Sequence, residues 1–329
     1  MLVGGSWASL PLVWLVGCLA GDPAGYRRKV SLEYNPGSNS SSDNLLHVRA
    51  VGHNDTIHYV WSTIGAPTVL LVYTGSQNST LHVNWTKLLS PSPSGAIHIE
   101  PASSVLYSSA VIFAKVFEYN GVNTSDLFKV PDDDFYPTYN LANFTWESLG
   151  GKINETMLTA TFQGVSSSPH GAFGNGSISF QMAQLVSVPD NHSTMSSFFQ
   201  WKTTAYSSQR PERADTIHCQ YYPLQTTNCT VPRSSIAHAY FGEELESHHG
   251  VAAINISFGS EDSEAYDEKR YLSWSALVGF GEPPKDTFST LVIAILAVGL
   301  GTPVVLLVAG SITALFTQKR RYSEYEPIN

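Results

Sequence analysis

L-L-H-V-R-A-V (45–51), T-I-H-Y-V-W (56–61) and T-V-L-L-V-Y (68–73) follow one another with only G-H-N-D (52–55) and S-T-I-G-A-P (62–67) between them. Each run is rich in β-branched and aromatic residues, which fit a pleated, half-buried surface better than a helix. The interruptions hold Gly, Asn, Asp and Pro, which supply positive φ, local side-chain hydrogen bonds or a fixed φ in turns. Short strands at this spacing are the signature of an all-β domain.

The pattern continues outward along the chain. L-H-V-N-W (81–85), residues 104–119, M-L-T-A-T-F (157–162), S-I-S-F-Q-M (177–182), S-F-F-Q-W (197–201) and A-A-I-N-I-S-F (252–258) are of the same kind. No amphipathic helix of three turns is visible outside the C-terminal apolar run. The expected fold class is therefore all-β and sandwich-like, followed by one C-terminal transmembrane helix. P-D-D-D-F-Y-P (131–137) and S-S-S-P-H-G (166–171) are candidate breaks. A subdivision near 165–171 would give two smaller β domains, and one large sandwich fits the same pattern. R-R-K (27–29) and residues 35–43 read as a flexible leading segment.

The C-terminal run, F-S-T-L-V-I-A-I-L-A-V-G-L-G-T-P-V-V-L-L-V-A-G-S-I-T-A-L-F (288–316), carries no charge. A bilayer core needs about 20 helical residues, so 288–317 is read as a span. G-T-P (301–303) predicts a kink, with the Thr302 hydroxyl offered to the carbonyl that Pro303 frees. Lys319, Arg320 and Arg321 follow as a stop-transfer cluster, while Glu282 and Asp286 precede. The positive-inside rule then places the tail, 318–329, in the cytosol. At the other end L-P-L-V-W-L-V-G-C-L-A (10–20) resembles the apolar core and small-residue cleavage site of a signal peptide, 1–20. The expected topology is single-pass type I, with 21–287 lumenal.

Eleven N-x-S/T acceptors lie in that lumenal region: Asn39, Asn54, Asn78, Asn84, Asn123, Asn143, Asn154, Asn175, Asn191, Asn228 and Asn255. Their confinement to one side of the span predicts a glycan-covered surface. Cys219 and Cys229 remain once the signal is removed, and an oxidising lumen favours a disulfide between them. The lumenal region holds 15 Lys+Arg against 25 Asp+Glu, with all eleven histidines. If every histidine titrates near pH 6.5, its net charge moves from −10 toward +1 on acidification.

Chemistry-bearing motifs are absent from the sequence: no nucleophile elbow, phosphate loop, dinucleotide fingerprint, H-E-x-x-H or C-x-x-C occurs. His238, His248 and His249 lack a carboxylate at ligand spacing and read as exposed loop residues. Asp132, Asp133 and Asp134 lack the alternation of a calcium loop, and residues 261–268 read as an acidic surface loop. No catalytic residue, metal site or cofactor is assigned. A lumenal hydrolase or ligand-binding glycoprotein is the alternative, and it would need carboxylates or a Ser–His pair brought together by the fold.

Tyr325-Glu326-Pro327-Ile328 fits Y-x-x-Φ, the extended tyrosine signal read by clathrin adaptors through pockets for Tyr325 and Ile328. The tail R-R-Y-S-E-Y-E-P-I-N (320–329) is one of several distinctive stretches. The others are L-L-H-V-R-A-V-G (45–52), H-Y-V-W-S (58–62), V-N-W-T-K-L-L-S-P (83–91), G-A-F-G-N-G-S (171–177), F-Q-W-K (199–202) and Y-L-S-W-S (271–275). In combination they closely resemble the glycosylated lysosomal membrane protein family, from about residue 30 to the end. The resemblance implies a lysosomal type I glycoprotein and accessory subunit. Its implied partner is a dipeptide-exporting lysosomal transporter (major facilitator superfamily domain-containing protein 1), which it stabilises and shields from proteases. It implies sorting by Tyr325 and Ile328, and a glycan shield on the sequons. The chain departs from the family in a shortfall between Val188 and Phe198, and in Ala252 and Ser273 where cysteines are expected. A nuclear coactivator role, also proposed for the family, conflicts with the signal, the sequons and the span. No nucleic-acid partner is expected.

Overall fold

β-Branched and aromatic runs build a meander of four strands: β1 (Lys29–Tyr34), β2 (Leu45–Val51), β3 (Thr56–Ser62) and β4 (Thr68–Thr74). The computed structural model describes residues 28–40, 42–117, 128–129, 138–166, 177–188, 196–206, 219–224, 231–243, 245, 250–258, 271–281 and 290–322. After β4 come β5 (Thr80–Val83), α1 (Trp85–Leu88), β6 (Ile97–Glu100), β7 (Val105–Ile112), β8 (Lys115–Phe117) and β9 (Thr138–Asn140). Then follow β10 (Thr145–Trp146), β11 (Ile153–Asn154), β12 (Thr159–Val165), β13 (Ser177–Val188) and β14 (Ser196–Tyr206). The remainder is β15 (Cys219–Pro223), α2 (Ile236–Phe241), β16 (Ile254–Phe258), β17 (Tyr271–Phe280) and α3 (Thr290–Tyr322).

One antiparallel sheet has the order β1-β2-β3-β4-β7, and a second runs β10-β12-β13-β14-β17 with β11 beside β12. Their facing sides share a core. Leu46, Val48, Ile57, Tyr59, Trp61 and Leu71 of the first sheet pack with Phe144, Leu149, Ala160 and Phe162 of the second side. Trp61 stacks on Phe162 across the layers, with ring centroids 5.8 Å apart. Phe280 closes one side of the sandwich, stacked on Tyr73 at 4.0 Å.

The first sheet is buried on its other face as well. Leu45, Val60, Leu70 and Val72 pack there against Ile97 and Ile99 of β6, Leu88 of α1, and Ile236 and Ala239 of α2. The β5–β6 ribbon and the two short helices thus form a third layer. Every residue of β3 is buried in consequence. Its polar residues Thr56, His58 and Ser62 are buried with the apolar ones. Close approach of the third layer also fixes Gly65, which has φ +67° and no room for a Cβ, since one would fall 2.4 Å from the Ser234 carbonyl oxygen.

The leading segment is fixed, contrary to the flexible reading of 27–29 and 35–43. Arg28 grips the Asp55 carboxylate with two hydrogen bonds of 2.8 and 2.7 Å, and Lys29 opens β1. A bidentate guanidinium–carboxylate pair of this geometry is strong and directional. Asn35 is likewise buried; its Nδ2 donates to the carbonyls of Ser40 and Asp43, and its Oδ1 accepts from Leu45 N–H. Asn44 ties this turn to a distant segment, donating from Nδ2 to the Glu147 carbonyl and accepting on Oδ1 from Leu149 N–H. Buried amides with every group paired act as fixed points of a fold.

Of residues 165–171, 167–171 lie outside the described residues. β12 and β13, on either side, pair with Val165 opposite Ser177 within the unit that ends at Pro283. The chain's other compact unit, Pro284–Asn329, holds α3. Its apolar span, Leu291–Gln318, is long enough to cross a bilayer. The helix runs unbroken through Pro303. The Thr302 hydroxyl donates to the Val298 carbonyl, not to that of Gly299, which Pro303 leaves without its usual donor.

Candidate functional site

Among the described residues most sequons fall in turns, at strand ends or beside short helical turns. Asn54 sits in the β2–β3 turn closed by Gly52 N–H to the Asp55 carbonyl, and Asn78 lies between β4 and β5. Asn39, Asn54, Asn78, Asn84, Asn143 and Asn154 are all exposed. Two of these amides also do local structural work through their oxygens. Asn84 Oδ1 caps α1 by accepting from Lys87 N–H, and Asn154 Oδ1 accepts from Met157 N–H. Asn255, by contrast, is buried on β16. Asn123, Asn175, Asn191 and Asn228 lie outside the described residues.

Beneath this surface the fold assembles a polar chain that the sequence reading missed. His47 Nε2 lies 2.9 Å from His58 Nδ1, and His58 Nε2 lies 2.8 Å from Ser79 Oγ. Ser79 Oγ is in turn 2.7 Å from Thr74 Oγ1, which donates to the Thr56 carbonyl. Arg49 clamps the same loop, donating to the carbonyls of Gln77 and Ser79. A hydroxyl beside an imidazole oriented by a second imidazole has the connectivity of a nucleophile–base pair. Here Ser79 and His58 are wholly buried, so no substrate reaches them. The chain is a structural clasp between β2, β3 and the loop before β5. One signal for it was available: each histidine interrupts an apolar strand run, which places it in the interior.

Burial sets the protonation of this pair. Desolvation, then the Arg49 charge, lowers His47 to a pKa of about 4. Desolvation, then His47, then Arg49 lowers His58 to about 3. Both stay neutral at pH 5, so neither takes part in the charge swing expected from the sequence.

His238 is another departure from the loop reading. It lies on α2, buried, with Nε2 3.3 Å from Glu243 Oε1. Among the described residues no three His, Cys, Asp or Glu side chains converge as metal ligands. His248, His249, Asp132, Asp133, Asp134 and residues 261–268 lie outside the described residues. So do Cys229 and the sorting residues Tyr325 and Ile328; Cys219 opens β15. The backbone of Lys319, Arg320 and Arg321 continues α3 beyond the end of the apolar span.

Comparison with known proteins fits this architecture. The sequence profile described as glycosylated lysosomal membrane protein matches residues 44–184 and 179–321. The chain belongs to the glycosylated lysosomal membrane protein family. It is similar to glycosylated lysosomal membrane protein A of Xenopus laevis, at 43% identity over 98% of each chain. Similar members also include those of Bos taurus, at 35% identity over 92% of this chain and 91% of the relative, and of Homo sapiens, at 33% over the same shares. The chain is thus a lysosomal membrane glycoprotein with one C-terminal apolar helix. The Xenopus alignment extends over 399 positions, seventy more than the 329 residues of this chain. The two profile matches meet at 179–184, inside β13. β13 and β14 pair from Ser177 opposite Tyr206 to Val188 opposite Ser196.

Proposed function

We propose that this glycosylated lysosomal membrane protein family member is a non-catalytic type I accessory subunit. Its lumenal sandwich stabilises a lysosomal major-facilitator transporter of dipeptides and shields it from proteolysis. The observation that carries this reading is the division of labour among the polar groups of the sandwich. Six glycan acceptors face outward, while the His47–His58–Ser79 chain is sealed inside. Such a surface is suited to excluding proteases, and such an interior to holding a fold together. α3 supplies the anchor, with the N-terminal region lumenal and the basic cluster and tail cytosolic. Tyr325 and Ile328 address the complex through a clathrin adaptor.

Affinity capture of the full-length chain from lysosomal membranes is expected to recover the transporter, and deletion of the chain to shorten the transporter's half-life. Recovery of the intact glycoprotein without any transporter would sink the reading. In the same cells Tyr325→Ala is expected to divert the protein to the cell surface. Unchanged delivery would place the address elsewhere.

A further inference from the structure

The sugar of an N-linked glycan is joined to the asparagine Nδ2, so the hydrogen bonds of each acceptor amide show which sequons are free to carry one. At Asn84 and Asn154 the partner is a backbone N–H, at 3.1 and 2.9 Å, which only Oδ1 can accept. Their Nδ2 atoms are left for the sugar, and both residues are exposed. Asn255 is built the other way. Its side chain meets the Lys129 carbonyl at 3.0 Å, a contact only Nδ2 can make, and the residue is 8% exposed.

The surrounding ribbon has its polarity inverted to match. Ile254 is 57% exposed while Asn255 turns inward. Asn255 is paired with Tyr222 on β15, whose ring meets Phe128 edge-on with centroids 5.2 Å apart. Asn255 and Tyr222 therefore face Phe128 and Lys129 together. Burying an amide is tolerated when its groups are bonded, and the donor bond to Lys129 does this here. A core oligosaccharide on Nδ2 would start inside this contact, and the ribbon would have to lift away to let it out.

We infer that the Asn255-Ile256-Ser257 sequon carries no glycan in the folded protein, its amide nitrogen serving instead to clasp the β15–β16 ribbon to Phe128–Lys129. The inference rests on the lumenal placement of the sandwich, and the other sequons test that placement separately.

The full-length glycoprotein, purified from cells in detergent, is treated with a glycan-releasing amidase in heavy-oxygen water and its peptides are sequenced by mass spectrometry. Label is expected at residues 84 and 154, with residue 255 an unlabelled asparagine. Predominant label at 255 would overturn the clasp. Absence of label at all three would overturn the lumenal placement and the inference with it. Two variants separate sugar from structure. Ser257→Ala, which removes the sequon and keeps the amide, is expected to leave gel mobility and thermal midpoint unchanged. Thr86→Ala is expected to raise mobility by one glycan. Asn255→Ala is expected to keep the mobility of the parent while its midpoint falls by several degrees. A one-glycan mobility change in Ser257→Ala, or an unchanged midpoint in Asn255→Ala, would count against the inference.

Discussion

β3 and the span of α3 both lack Asp, Glu, Lys and Arg, yet they occupy opposite environments. All seven residues of β3 are buried between two layers of protein, whereas the helix window of the span is 0% buried. An element with no solvent-facing side is surrounded by matter other than water. For β3 that matter is the sandwich core and the β6–α2 layer; for α3 it is a bilayer. Length separates the two cases in sequence. Seven residues of strand fit the thickness of a domain, and the 28 of the span exceed the about 20 that a membrane requires.

A charge placed in each region separates the two environments most strongly. In Val60→Asp a carboxylate would sit at a wholly buried position facing Leu45, Leu70 and Ile97. An unpaired buried ion costs several kcal/mol even after relaxation, comparable to the whole stability of a domain. The variant is expected to be retained and degraded before reaching the lysosome. Leu306→Arg, near the middle of the span, is expected to cost only about 2.5–3.5 kcal/mol of insertion, because a long side chain can snorkel. Pulse-chase with glycan-maturation analysis checks both. Equal retention of the two would erase the distinction.

Truncation sharpens the same contrast at smaller amplitude. Leu70→Ala is expected to destabilise the sandwich by about 2–5 kcal/mol, through lost burial and the cavity left behind. Leu307→Ala, 71% exposed on α3, leaves no cavity in the sandwich. The unfolding transition of its sandwich is expected to match the parent's. Thermal denaturation of the purified proteins in one detergent provides the comparison.

These two regions were also the most legible in sequence. Local composition identifies the strands at 45–74 and the span, because both are decided by runs of adjacent residues. Contacts between distant residues were not legible. Nothing near Asn44 announces that its amide meets Glu147 and Leu149 more than a hundred positions away. Arg28 read as part of a flexible leading segment, because its carboxylate partner, Asp55, arrives only through the β2–β3 turn. Asn255 read as one more sequon, because the sequence cannot show that β16 turns Ile254 out and the amide in. The double burial of β3 depends on α2, which is contributed from residues 236–241. The histidine clasp lies between these cases. The positions of His47 and His58 within apolar runs mark them as interior, but their partnership requires the register that sets Arg49 opposite His58.

That clasp yields the most graded test, because protonation acts on the sandwich and leaves α3 untouched. An unfolded histidine titrates near pH 6.5, whereas folded His47 and His58 titrate near 4 and 3. Between these values the unfolded chain binds more protons than the folded one, so acidification favours unfolding. The cost is absent at pH 7.5 and grows by about 1.4 kcal/mol per pH unit for each histidine below 6.5. At pH 5 it amounts to about 2 kcal/mol per histidine. Glu33, whose Oε2 is 3.9 Å from His47 Nδ1, offers the only acidic partner to the pair among the described residues, while Arg49 opposes the added charge. A proton on His47 would gain the nearby Glu33 charge and could donate from Nε2 to His58. A doubly protonated His58 would donate to His47 Nε2 and Ser79 Oγ, which requires His47 to carry its own proton on Nδ1. Thermal midpoints of His58→Gln between pH 7.5 and 5 are expected to fall less steeply than those of the parent, whatever the variant's stability at neutral pH. Parallel slopes would mean that the pair opens to solvent and titrates as free histidines do.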